Sequence, residues 1–213
     1  MSLLHHPSEE ILLDRAAGRL RPGPALLVDT HLLACAVCRD EAARLDALGG
    51  VLLETLEPEQ IAADAVEKAL ARLDEPPQPP IPPIRRRARP EGVDLSEALR
   101  GLPLGRRRWL GPGMWMRPVL GQGPGRTYLL RSGPGRRLPQ HGHTGEEWVL
   151  VLKGAFTDET GRYGAGDFAE SDDGLSHAPI TDTDGECLCL IHAARPMRID
   201  HPLLRAVQPL LGI

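Results

Sequence analysis

Aromatic side chains are scarce in this chain. Phe, Trp and Tyr make up 3% of its 213 residues, and all seven lie between Trp109 and Phe168. A first hundred residues with no aromatic ring cannot build an aromatic core, so two compositionally different units are expected. Cysteine is sparse too: four residues, paired as C-x-x-C (Cys35, Cys38) and C-x-C (Cys187, Cys189). No apolar run approaches the roughly 18 to 20 residues that span a bilayer, and "MSLLHHPSEE" lacks the basic flank and apolar centre of a signal peptide. The expectation is a soluble, cytoplasmic protein with no membrane partner. In a reducing compartment, cysteines paired this closely point to metal or redox chemistry before structural disulfides. There is no internal repeat and no phosphate-cradling glycine loop; the surroundings of "GQGPGR" (121–126) suggest a hairpin turn instead.

Charge divides the chain as the aromatics do. Residues 1–75 carry 7 Lys and Arg against 14 Asp and Glu, whereas 85–108 carry 8 Arg against 3 acids. An acidic front unit is poorly suited to nucleic-acid phosphates, and no direct nucleic-acid partner is expected. The runs "RRRAR" (85–89) and "GRRRW" (105–109) fit solvated charges of a linker and a domain entry.

Helical spacing and stop signals predict four helices in 1–75: one after Ser8 ending at Gly18, one from about Pro24 to Cys35, one over "CRDEAARLDALGG" ended by Gly49 and Gly50, and one from Pro58 through "EQIAADAVEKALARLD". The proline-dense "EPPQPPIPPIRRRARP" (75–90) cannot continue a helix and predicts an extended tether with few contacts across it. From Trp109 onward, short apolar runs ("TYLLRS", "EWVLVLKG", "ECLCLIHAA") between Gly, Pro and Asp clusters predict an antiparallel β-sandwich or barrel. The expected organisation is a small four-helix domain (1–75), a Pro/Arg-rich linker (76–92) and a β domain (93–213).

Two constellations carry chemistry. On a continuous helix, His31, Cys35 and Cys38 fall at about 0°, 40° and 340°, one narrow face. Singly, each is an ordinary buried residue; together, in a small domain without aromatics, they suit Zn²⁺, whose fourth tetrahedral ligand the His5-His6 pair can supply. Farther on, "GRRLPQHGHTGEEWVLVLKG" (135–154) reads G-x5-H-x-H-x3-E-x6-G, the first cupin motif. His141 and His143 alternate to one strand face and Glu147 returns after a short turn. The second motif is looser: Gly166, Gly174 and His177 fall at the expected spacing, but Asp172 stands in place of Pro and Thr181 in place of Asn. His177 lands where the fourth ligand belongs. Three imidazoles and a carboxylate suit a divalent transition metal, with zinc, manganese, iron and nickel all admissible on ligand type. Cys187 and Cys189 share one strand face, either as buried hydrophobes or as a redox pair.

From "HHPSEEIL" through "THLLACAVCRDEAARLDALGG" to the end of the second domain, the chain resembles the ChrR-type zinc-dependent anti-sigma factors. The resemblance implies zinc ligands His6, His31, Cys35 and Cys38 in a helical domain that sequesters an extracytoplasmic-function sigma factor. It also implies a cupin metal site of His141, His143, Glu147 and His177, with Cys187 and Cys189 near it, that receives an oxidative signal such as singlet oxygen or organic hydroperoxide. A regulator rather than an enzyme is expected, because a catalyst has no evident use for a separate acidic His/Cys module. The alternative is a metal-dependent cupin oxygenase or isomerase with a helical appendage.

Overall fold

The computed structural model describes residues 3–74, Leu95 and residues 99–199. The expected linker at 76–92 and the chain from 200 onward lie outside the described residues. Four helices come first: α1 (Glu9–Ala16), α2 (Pro22–Ala34), α3 (Ala36–Glu54) and α4 (Ala65–Ala71), the last followed by a 3₁₀ turn at Arg72–Asp74. Gly18, at φ +65°, ends α1 as expected; the Gly18 and Arg19 amides return to Arg15 and Asp14 carbonyls.

Helix boundaries differ from expectation at several points, among them the start of α3 at Ala36 rather than Cys38. Helix α2 starts at Pro22, whose fixed φ and missing donor suit the first position. Helix α3 runs through Gly49 and Gly50 to Glu54. A glycine inside a helix costs about 1 kcal/mol relative to alanine, but without a positive φ it weakens the helix and does not end it. Helix α4 begins at Ala65 after Asp64, not at Pro58, and buries none of its residues. With no packed face to support it, propensity alone sustains only a short helix.

Twelve strands follow: β1 (Arg108–Gly111), β2 (Met114–Pro118), β3 (Arg126–Ser132), β4 (His141–Gly142), β5 (Glu147–Lys153), β6 (Ala155–Asp158), β7 (Gly161–Gly164), β8 (Phe168–Ser171), β9 (Ser176–His177), β10 (Ile180–Thr181), β11 (Cys187–Ala193) and β12 (Arg198–Ile199). They form a six-stranded sheet, ordered β1-β2-β3-β11-β5-β8, and two three-stranded sheets, β10-β6-β7 and β12-β4-β9. Every pairing among the described strands is antiparallel. "GQGPGR" is the β2–β3 turn, with Gly121, Gly123 and Gly125 all at positive φ.

Strand β5 is buried from Glu147 to Leu152, which explains its unbroken apolar run. Val149 and Val151 face the barrel interior with Tyr128, Phe156, Cys189 and Ile191. Trp148, Leu150 and Leu152 face the other way, joining Phe168 and Leu190 to Ile11, Leu12, Leu27 and Val28 of the helices. The helical unit and the cupin sheet therefore share one core, and the expectation of few contacts between them is not met. The start of α2 sits so close to the sheet that a Cβ on Gly23 would lie 2.5 Å from both His192 Nδ1 and Thr127 Oγ1.

Candidate metal centres

The chain between α2 and α3 is not one continuous helix. Cys35 adopts φ −102°, ψ 109°, closing α2 and capping α3, with its Sγ accepting from the Cys38 amide at 3.4 Å. His31 thus ends one helix and Cys38 begins the next, and the kink, not a shared helix face, brings them together. His6 arrives from the extended segment before α1. Its Nδ1 lies 3.3 Å from both Cys35 Sγ and Cys38 Sγ, while His31 Nε2 lies 3.3 Å from Cys38 Sγ. His5 goes elsewhere, stacking on Tyr163 with ring centroids 4.3 Å apart.

These separations suit a shared cation: ligand bonds of about 2.0 Å to N and 2.3 Å to S at a tetrahedral angle put N and S about 3.5 Å apart. The hydrogen bonding agrees. His31 Nδ1 donates to the Gly166 carbonyl at 2.8 Å, which turns the Nε2 lone pair toward the thiols. Burial pushes His31 down to about 4, and burial together with the neighbouring Cys35 pushes Cys38 up to about 12. A bound cation reverses the second effect by stabilising the thiolate, and the start of α3 adds its dipole.

In the cupin, β4 and β9 pair His141 directly with His177, and Glu147 opens β5. The Nε2 atoms of His141 and His143 each lie 3.1 Å from Nε2 of His177. His141 Nδ1 donates to the Pro139 carbonyl at 2.9 Å, and His177 Nδ1 donates to Asp158 Oδ2 at 2.8 Å. With each Nδ1 spent on its oxygen acceptor, the Nε2 atoms of the two rings are left facing each other at close range. That contact is repulsive without a cation between them. Buried Glu147 Oε2 has no hydrogen-bond partner, and burial raises this carboxyl to about 7. An orphaned buried oxygen beside converging lone pairs is the pattern a metal resolves. Burial first, then the charges of His141 and His177, lowers His143 to about 4. In each cluster the four candidate ligand atoms lie within 4.8 Å of one another, so each can hold a metal ion.

The departures in the second motif leave His177 in place. Asp172 makes the turn that proline would make, its Oδ1 accepting from the Gly174 amide at 2.9 Å, and Thr181 is buried on β10. Cys187 and Cys189 point into the barrel, their Sγ atoms 3.6 Å apart, and line a cavity of about 60 Å³ with His141, Glu147 and His177. The hydrogen bond shared with Cys187, then burial, raises the Cys189 thiol well above its ordinary value.

Sequence reasoning did not find the residues that hold these ligands. Asp158 orients His177, and Asp167 accepts the Leu4 and His5 amides at 2.9 and 3.2 Å. Burial opposes ionisation of both carboxyls, but hydrogen bonds outweigh it, from Thr160 and His177 in one case and from Gly164, Leu4 and His5 in the other. Both are held below the ordinary aspartate range. Gly166 was visible as a motif glycine, but nothing local marked its carbonyl as a partner of His31.

Residues 107–196 match the family model described as the ChrR cupin-like domain. Over 215 aligned residues the chain is 38% identical to a protein of Cereibacter sphaeroides named anti-sigma-E factor ChrR, covering all of both. The fold superposes with a TM-score of 0.73 and 35% identity on a chain from the crystal structure of Rhodobacter sphaeroides SigE in complex with the anti-sigma ChrR, over 90% of this chain and 99% of that one. With the whole length matched at this identity, and with both ligand clusters assembled, the chain belongs to the ChrR family of anti-sigma factors.

Proposed function

We propose that this protein is a cytoplasmic anti-sigma factor that sequesters an extracytoplasmic-function sigma factor through its helical unit and releases it when the cupin receives an oxidative signal, singlet oxygen or a hydroperoxide. Zinc holds His6, His31, Cys35 and Cys38; a second divalent metal, zinc by the same donor logic with manganese, iron or nickel as alternatives, sits on His141, His143, Glu147 and His177. The anti-sigma role follows from the family, whose SigE–ChrR complex is a known structure. Among the described residues, no helix is long and apolar enough to cross a membrane.

The observation that carries this reading is an exposed apolar stretch on α3. Leu48, Val51, Leu52 and Leu53 are all more than half exposed within two turns of that helix. Large apolar side chains grouped this way mark a protein-binding surface. The unit that displays them is acidic, which complements the basic surfaces by which sigma factors meet polymerase and promoter. The zinc cluster sits at the root of α3, so the cation fixes the angle at which this surface leaves the cupin.

A catalytic cupin is less well supported. The cavity beside the second cluster, about 60 Å³, holds about two waters, against roughly 300 to 1,000 Å³ for ordinary ligand pockets. Co-expression of the tagged full chain with candidate sigma factors from the same genome tests the proposal. Retention of one sigma factor through purification is expected; capture of none of them would overturn it.

A further inference from the structure

The ribbon from Asp158 to Phe168 touches both metal clusters. At the cupin end, His177 offers Nε2 to its cluster and gives its Nδ1 proton to Asp158 Oδ2 at 2.8 Å, so the ring and the carboxylate move together. Asp158 Oδ1 in turn shapes the turn that follows, accepting from the Thr160 amide at 2.8 Å, the Thr160 hydroxyl at 2.6 Å and the Gly161 amide at 3.3 Å. Because Thr160 spends its proton on a carboxylate, the 2.9 Å contact between Thr160 Oγ1 and Tyr163 OH runs with the tyrosine as donor. The Tyr163 ring lies between Phe156, at 5.1 Å, and His5, at 4.3 Å.

At the other end the same ribbon grips the helical cluster twice. Asp167 Oδ1 accepts the Leu4 and His5 amides, and the Phe168 amide donates to the His5 carbonyl at 3.2 Å, fixing the backbone on which His6 is the next residue. One residue earlier, the Gly166 carbonyl takes the His31 Nδ1 proton. Asp167 Oδ2 is anchored to the Gly164 amide at 2.9 Å, so these two grips share one rigid turn. Leu3 packs directly over Gly166, whose φ of +95° suits glycine.

We infer that the chain His177–Asp158–Thr160–Tyr163–His5, with Gly166 and Asp167 at its end, couples the two metal sites, so that loss of the cupin metal loosens zinc in the helical site. This rests on the reading of both clusters as metal sites. A ring released at His177 frees Asp158, the turn that Asp158 shapes and the tyrosine that the turn holds. The position of the ribbon is then the variable both sites bias, which is what a coupling free energy requires.

The test uses the purified full chain and reads the alkylation rates of Cys35 and Cys38 by peptide mass spectrometry, since zinc protects both thiolates. Metal per chain is measured alongside. Emptying the cupin through Glu147→Ala, with His143→Ala as a second route, is expected to speed alkylation about 5-fold or more, the low end of ordinary allosteric couplings. Thr160→Val, at an exposed position, and Tyr163→Phe each cut the chain by a hydroxyl and should reduce that difference to less than about 2-fold. Arg162→Ala, on the same ribbon but outside the chain, should keep it whole. Equal alkylation rates with the cupin filled and emptied would overturn the coupling and leave the metal sites standing, as would an undiminished difference in either hydroxyl variant. A wild-type chain with no metal in either cluster would overturn both the sites and their coupling.

Discussion

The two clusters bring together four candidate ligands each on opposite kinds of scaffold. Three of the cupin residues sit on strands whose register is fixed by main-chain pairing, His141 opposite His177 and Glu147 opposite Ser171 and Ala193, and His143 follows directly on β4. The helical ligands come from three pieces that meet nowhere else in this way: an extended segment, the end of α2 and the start of α3. Strand pairing preserves the backbone of the first without a cation, leaving side chains such as the His177 ring to move. In the second, the proposed zinc is itself the joint. A sensor and a clamp would be built this way, one site able to change occupancy and move a side chain while keeping its strands paired, the other losing its shape with its ion.

The largest effect is expected where the cation is the joint. Replacing both Cys35 and Cys38 by Ser should remove one zinc per chain, leave the cupin metal in place and open α1–α3 to limited proteolysis, since apparent zinc-binding energies of about 10–16 kcal/mol in small zinc domains are largely folding energy. Native-like protease resistance of a metal-free double variant would break the comparison.

Next comes the sensor. Glu147→Ala should strip the cupin metal, because losing a direct ligand costs more than the roughly 10- to 100-fold typical of outer-sphere changes. The barrel should persist, basal repression should hold to within the about 10-fold that a loosened helical zinc allows, and induction of a sigma-dependent reporter by a photosensitiser should weaken. Full induction from a chain shown to lack the cupin metal would remove the sensing role.

A smaller effect sharpens the contact between the two sites. Gly166→Ala puts a Cβ at φ +95°, where an L residue costs about 1–2 kcal/mol, and pushes it within 2.7 Å of a Leu3 methyl that can move aside. A fall in Tm of a few degrees is expected, and an unchanged Tm would show that Leu3 and the turn are not docked as described. The smallest effect is one of pH. Asp167 is held below the ordinary aspartate range, so its stabilisation is complete above about 4, the unfolded value, and is lost as pH falls below that toward its folded value. Exchange protection of the Leu4 and His5 amides should therefore decline on acidification, and Asp167→Asn should lower it at neutral pH already. Protection that ignores both would exclude Asp167 as the anchor.

Legibility from sequence followed the range of the interactions. The cupin cluster was readable because His141 and His143 stand two apart at the end of β4 and the chain returns Glu147 within four residues. The helical cluster was read from one face of a continuous helix, whereas the extended backbone at Cys35 brings His31, Cys35 and Cys38 together. Glycine at 49 and 50 read as a stop, although only a positive φ makes glycine terminate a helix. The docking of the helices on the sheet was not legible at all. Its contacts, His31 with Gly166 and Leu4 with Asp167, join residues more than a hundred positions apart, which no local periodicity records. The apolar run in β5 was the one available hint: six buried residues in succession require cover on both faces.

The central claim is that grip and sensing reside in different clusters. Its most direct test is the affinity of the purified sigma factor for three chains: wild type, Glu147→Ala and Cys35→Ser/Cys38→Ser. The account predicts that the cupin variant binds within about 10-fold of wild type and the zinc variant loses at least about 1,000-fold, a difference of roughly 4 kcal/mol. Retained binding by the zinc-free chain, or equal losses in both variants, would contradict it.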